Sequence, residues 1–176
     1  MFYLFKTFTQ MKILLNKTSL TKSLRQFSDI GFVPTMGSIH KGHLSLISRS
    51  NQICSKTVVS IFVNPKQFNN KKDFKTYPKN IKNDIKLISK TKKVDFLYVP
   101  KLIDIFKNNK KPKIKLIKID KILCAKFRKG HFEGVLDVMD RLTRIVKPNK
   151  IFMGNKDFQQ LFLVKKYLNF LVLLNN

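Results

Sequence analysis

The densest cluster of residues able to do chemistry is PTMGSIHKGH, residues 34–43, placed after a short apolar run and ahead of an amphipathic stretch. Gly37 and Gly42 let backbone approach a ligand closely. A helix opening near Lys41 would present free N–H groups and the positive end of its dipole, which suits a phosphate. His40 and His43 stand three apart, so on a first helical turn they face the same way. Two imidazoles there could donate hydrogen bonds to a polyphosphate and offset charge building at a reacting phosphorus. The plainer alternative is an ordinary strand-to-helix turn. Against it, two of the chain's three histidines fall inside this one turn. A zinc pair is the weaker alternative, since no further ligand cluster has suitable spacing.

Elements must exist to hold such a turn, and their pattern is alternating. Short apolar runs at 31–35, 58–65, 94–100, 114–119 and 150–154 are β-branched or aromatic and bounded by Pro, Gly or Asn, as buried strands are. IKLIKI at 114–119 also fits an exposed edge strand, because Lys interrupts its apolar positions. Helical patterns fill 41–53, 80–92, 132–147 and 156–168. In the third, Val135, Val138, Met139, Leu142, Ile145 and Val146 share one face and Pro148 stops the element. Strands alternating with helices predict an α/β, Rossmann-like fold with a parallel sheet, and in such folds ligands sit at the carboxyl ends of strands.

The chain has 176 residues, enough for one domain with a real core, and 43% of them are apolar. No apolar run approaches 18 residues, which argues against a transmembrane helix. Cys54 and Cys124 make neither a disulfide framework nor a zinc site; they read as packing residues in a reducing compartment. Against 36 Lys and Arg stand 10 Asp and Glu, a formal charge of +26. That balance makes a nucleic-acid partner the runner-up class. Only five of the basic residues are Arg, and the lysines are spread from Lys6 to Lys166, so solvated faces are the simpler account. Residues 1–10 read as an N-terminal extension, with Met11 as the simpler start and a transit peptide as the weaker alternative.

PTMGSIHKGH resembles the HIGH-type signature of the nucleotidyltransferases, and specifically that of the pantoate-β-alanine ligase family. VSIFVNPKQF at 59–68, FRKGHFEGV at 127–135 and GNKDFQQL at 154–161 resemble that family's later blocks, in order. The resemblance implies a Rossmann-like domain over residues 11–176 that ligates pantoate to β-alanine through a pantoyl adenylate, using ATP with Mg²⁺. It implies ATP contacts at Met36, Gly37, Ser38, Ile39, His40, Lys41, Gly42 and His43, with His43 catalytic. A second ATP-binding piece would be Gly154, Asn155, Lys156 and Asp157. Gln67 and Gln160 would bind pantoate, and Gln67 would also lie beside β-alanine. Arg128 and His131 could line the same cleft. Asp84 is a weaker candidate for helping to hold magnesium, since a lone Asp on a helix reads more simply as surface. Members of the family are cytoplasmic homodimers.

Two departures are mild: Asn155 where the family has Glu, and Lys129 where it has Pro. The larger one is that the sequence ends at Asn176, where the family continues into a smaller C-terminal domain whose loop closes over the ATP phosphates. A truncated copy with reduced or no ligase activity, binding nucleotide only, is therefore the alternative expectation.

Overall fold

A computed structural model describes residues 10–107, 114, 116–168 and 172–175. Its centre is a parallel sheet built from β1 (Lys12–Leu14), β2 (Ile30–Thr35), β3 (Lys56–Ile61), β4 (Phe96–Tyr98), β5 (Lys150–Gly154) and β6 (Val172–Asn175). The spatial order is β1-β4-β3-β2-β5-β6. From β2 the chain steps outward to β3 and β4, then returns to β5 on the other side of β2. The connections leaving β2 and β5 therefore diverge, opening a crevice at their carboxyl ends, where doubly wound folds bind ligands.

Both faces of the sheet are covered, which is why its strands are apolar on both sides. Phe32, Val58, Ile151 and Met153 point to one face, under α1 (Lys17–Leu24), α7 (His131–Val146) and α8 (Phe158–Leu168). Val33, Val59 and Phe152 point to the other, under α2 (Lys41–Ile53) and α4 (Ile81–Lys90). The shorter α3 (Lys71–Thr76), α5 (Leu102–Phe106) and α6 (Cys124–Phe127) decorate the connections. The apolar stripe of α7 is buried as its spacing predicts, and Lys147 ends the helix in a left-handed conformation just before Pro148.

Among the described residues of 114–119 the expected strand is not formed: Lys118–Lys121 is a 3-10 turn. Of that run's described apolar side chains, Leu116 is buried while Ile117 and Ile119 are exposed. The reason lies in Asp120, buried and bonded to Ile117 N–H (3.3 Å), Lys166 Nζ (2.7 Å) and the Tyr167 hydroxyl. Gln159 adds bonds from its amide to the Asp120 and Ile122 carbonyls. Together α8 and Asp120 curl this segment into a turn, and the sheet edges are taken by β1 and β6 instead. Cys54 is buried as expected, but Cys124 is exposed on the one-turn helix α6, too short to bury a face.

Candidate active site

Strand β2 ends at Thr35, whose hydroxyl donates to the Ser60 carbonyl (2.7 Å) and accepts from Gly37 N–H (3.2 Å). Gly37 and Ser38 then turn through left-handed backbone, φ +86° and +52°. A side chain at Gly37 would be strained there, and its Cβ would stand 2.8 Å from Asp84 Oδ2. Asp84 reaches in from α4, accepting from Ser38 N–H (3.0 Å) and Ile39 N–H (2.8 Å). It is 2% exposed, so the surface placement expected for it is wrong. Nothing local marks it, because its partners lie 45 and 46 positions away.

His40 caps α2: its Nδ1 accepts from Gly42 N–H (3.1 Å). A backbone amide only donates, so the neutral His40 ring carries its proton on Nε2. The His40 and His43 rings lie 4.1 Å apart, facing alike as the spacing predicts. The backbone cradle, however, is largely self-satisfied: the amides of Gly37, Ser38, Ile39 and Gly42 already have protein acceptors.

His43 Nδ1 is buried without a partner. Burial pushes this imidazole down from 6.5 to about 4; the neighbouring His40 lowers it too, and the Asp84 charge opposes both. The folded chain therefore holds His43 neutral at pH 7. On acidification the unfolded chain takes up this proton first, so His43's share of stability is full above about 6.5 and declines toward about 4. His131 is also lowered by burial and adds to that slope. Urea unfolding at pH 7 and pH 4.5 should show a smaller loss of stability for His43→Gln than for the parent chain. Equal losses would mean that His43 titrates ordinarily.

Across the crevice, the 3-10 turn Pro65–Gln67 follows β3, and Asn64 caps it by accepting from Lys66 N–H (3.1 Å). The fully buried Asn64 amide donates to the Gly134 carbonyl (3.0 Å) and to Gln67 Oε1 (3.2 Å). Gln67 Nε2 points to Met36 Sδ (2.8 Å). His131 Nδ1 donates to the Gln67 carbonyl (2.6 Å), leaving Nε2 of the neutral ring as its acceptor. Asn64 was not singled out from sequence, although an Asn before Pro is the residue that caps such a turn.

These pieces enclose a cavity of about 330 Å³. Met36, Gly37 and His40 come to it from the loop after β2, His43 from the first turn of α2, and Gln67 from the turn after β3. Asp157 and Gln160 arrive from the region after β5, Arg128 from the end of α6 and His131 from the start of α7. Val135, Val138, Met139 and Leu142 of α7 make an apolar wall, and Tyr77 a further side, neither expected from sequence as part of the site. Ser38, Ile39, Lys41, Gly42, Gly154, Asn155 and Lys156 are not on the cavity wall. Ser38 and Ile39 face Asp84, whereas Lys41, Gly42 and residues 154–156 are turned toward solvent.

A family model described as pantoate-β-alanine ligase matches residues 4–174. The chain belongs to this family. Among its relatives are the pantothenate synthetases of Bartonella bacilliformis, 40% identical over 147 residues, and of Francisella tularensis, 43% identical over 149. Those alignments take in 84% of this chain and 52% and 57% of the relatives, so the chain spans about half the length of the curated relatives it matches. A crystal structure of the Francisella tularensis pantoate-β-alanine ligase, complexed with β-γ ATP and β-alanine, superposes with a TM-score of 0.88 at 37% identity. It covers 94% of this chain and 66% of that one. The enzyme of Thermus thermophilus superposes at 0.85 with 32% identity, over 94% and 60%. The Rossmann-like fold of the HIGH-type ligases is thus the fold of this chain.

Proposed function

We propose that residues 11–176 form the nucleotide- and pantoate-binding domain of an AMP-forming pantoate-β-alanine ligase. The observation that carries this is the convergence of His40 and His43, Gln67, and Asp157 and Gln160 on one cavity at the switch point of the sheet. ATP would enter between the loop after β2 and the residues after β5. Pantoate would lie on the apolar wall of α7, its polar groups on Gln67 and Gln160, and β-alanine beside Gln67.

In the first step a pantoate carboxylate oxygen attacks the α-phosphorus of ATP and the bond to pyrophosphate breaks. His43 and His40 donate hydrogen bonds to the phosphate oxygens as negative charge shifts toward the leaving group. In the second step the β-alanine amine attacks the acyl carbon, AMP leaves with the bonding pair, and the amine loses a proton. Neither step needs a covalent bond to protein, so the site contributes mostly by alignment and charge.

Magnesium would arrive with the triphosphate. Among the described residues no three His, Cys, Asp or Glu gather as a metal cage, and Asp157 is the carboxylate on the cavity wall. That set fits a magnesium held by phosphates and water with one carboxylate nearby. Asp157 would contact a metal-bound water or the ribose. A cytoplasmic homodimer is part of the same proposal; among the described residues no helix is long and apolar enough to cross a membrane. Nucleic acid has no role in it.

The purified 176-residue chain, given Mg·ATP, should release AMP only when both pantoate and β-alanine are present. ATP binding with no AMP under any combination would reduce the function to nucleotide binding alone. AMP release indifferent to pantoate would overturn the assignment.

A further inference from the structure

Asp84 is buried, charged and unused by the reaction just described. Its two oxygens take the consecutive amides of Ser38 and Ile39, at 3.0 and 2.8 Å, directly after the two left-handed residues Gly37 and Ser38. Successive N–H groups beside such residues form a concave anion site, a natural seat for a ligand phosphate at a strand end. Here the protein's own carboxylate occupies it from below. Ser38 is no glycine, so its backbone conformation is held against a local preference. Charge-assisted bonds to both amides supply that hold.

We propose that Asp84 is the positioning residue of the ATP site, an internal anion that locks residues 37–39 and thereby aims His40 and His43 into the cavity. A phosphate is then left to the imidazoles and the first turn of α2, rather than to the amides of Ser38 and Ile39. Asp84 acts through the loop and does not touch substrate; with both oxygens engaged by backbone, it does not serve the metal. The structural arm of this inference stands by itself, and its kinetic arm rests on the ligase assignment.

Asp84→Asn preserves size but turns an amide N–H₂ toward one of the two backbone N–H groups. In the ligand-free chain, hydrogen exchange at Ser38 and Ile39 should quicken by on the order of tenfold, with the core amides of Val59 and Phe152 unchanged. With all substrates, kcat for AMP release should fall roughly 100-fold while KM for pantoate moves little. Excess Mg²⁺ should not restore the rate. Asp84→Ala should show the same pattern more strongly. Asp73→Asn removes the same charge from an exposed position of α3 and should alter neither readout. Unchanged exchange at Ser38 and Ile39, or a rate recovered by excess Mg²⁺, would overturn the proposal. A parent chain that binds ATP but makes no AMP would count against the ligase assignment, leaving the exchange measurement to decide Asp84.

Discussion

Replacing His43 by Ala should lower pantoate- and β-alanine-dependent AMP release by roughly 100- to 10,000-fold, with ATP affinity much less affected. The two histidines of the turn are not equivalent. His40 spends Nδ1 on the Gly42 amide and so helps to start α2. His40→Ala should therefore cost about 1 kcal/mol of stability as a lost cap, alongside any loss of rate. His43 has no such structural bond, and its Nδ1 is buried and unpartnered. Keeping this ring neutral, at about 4, is the work of burial and of the neighbouring His40. A triphosphate placed against it reverses that bias, because negative charge favours the imidazolium. The His43 resonances should accordingly titrate at higher pH once Mg·ATP is bound, an NMR observation independent of turnover. An AMP rate within about tenfold of the parent, or a titration unmoved by nucleotide, would remove His43 from the reaction.

The same turn shows what a sequence can and cannot disclose. His40, His43 and the glycines were legible because their chemistry is local: three-residue spacing at a helix start turns the two rings to the same side. The central strands β2, β3 and β5 were legible because burial on both faces leaves almost continuous apolar runs. By contrast β1 is three residues long, with Lys12 and Ile13 exposed, and α1 buries only Leu20 and Leu24, so neither leaves a usable pattern. The alternation in IKLIKI came from lysine-rich usage rather than from a buried face, and it predicted a strand that Asp120 folds into a turn. Asp84 and Asn64 escaped for a further reason. Asp84 acts only on the loop after β2, 45 and 46 positions away, and Asn64 adds to its local cap a bond to the carbonyl of Gly134, 70 positions away.

Gly134 is where that long-range geometry can be tested most sharply. In the interior of an ordinary helix, Gly→Ala stabilises by about 1 kcal/mol, since Ala has the better helix propensity. At position 134 the sign should invert. A Cβ there would stand 2.4 Å from the Lys66 carbonyl oxygen, 2.7 Å from its carbon and 3.0 Å from Gln67 Cα. All three are backbone atoms of a capped 3-10 turn, so no flexible side chain can swing aside. Helix α7 must withdraw, and bonds that cross this contact include Asn64 Nδ2 to the Gly134 carbonyl, His131 Nδ1 to the Gln67 carbonyl and Lys66 Nζ to Asp137. Gly134→Ala should therefore destabilise by about 1–3 kcal/mol in urea unfolding, and it should raise KM for pantoate by on the order of tenfold or more through a displaced Gln67. Because Gly134 touches neither histidine of the turn after β2, ATP binding should change little. A stabilised Gly134→Ala variant with normal pantoate affinity would mean that α7 does not lie this close to the turn, and the placement of Gln67 in the cavity would fall with it.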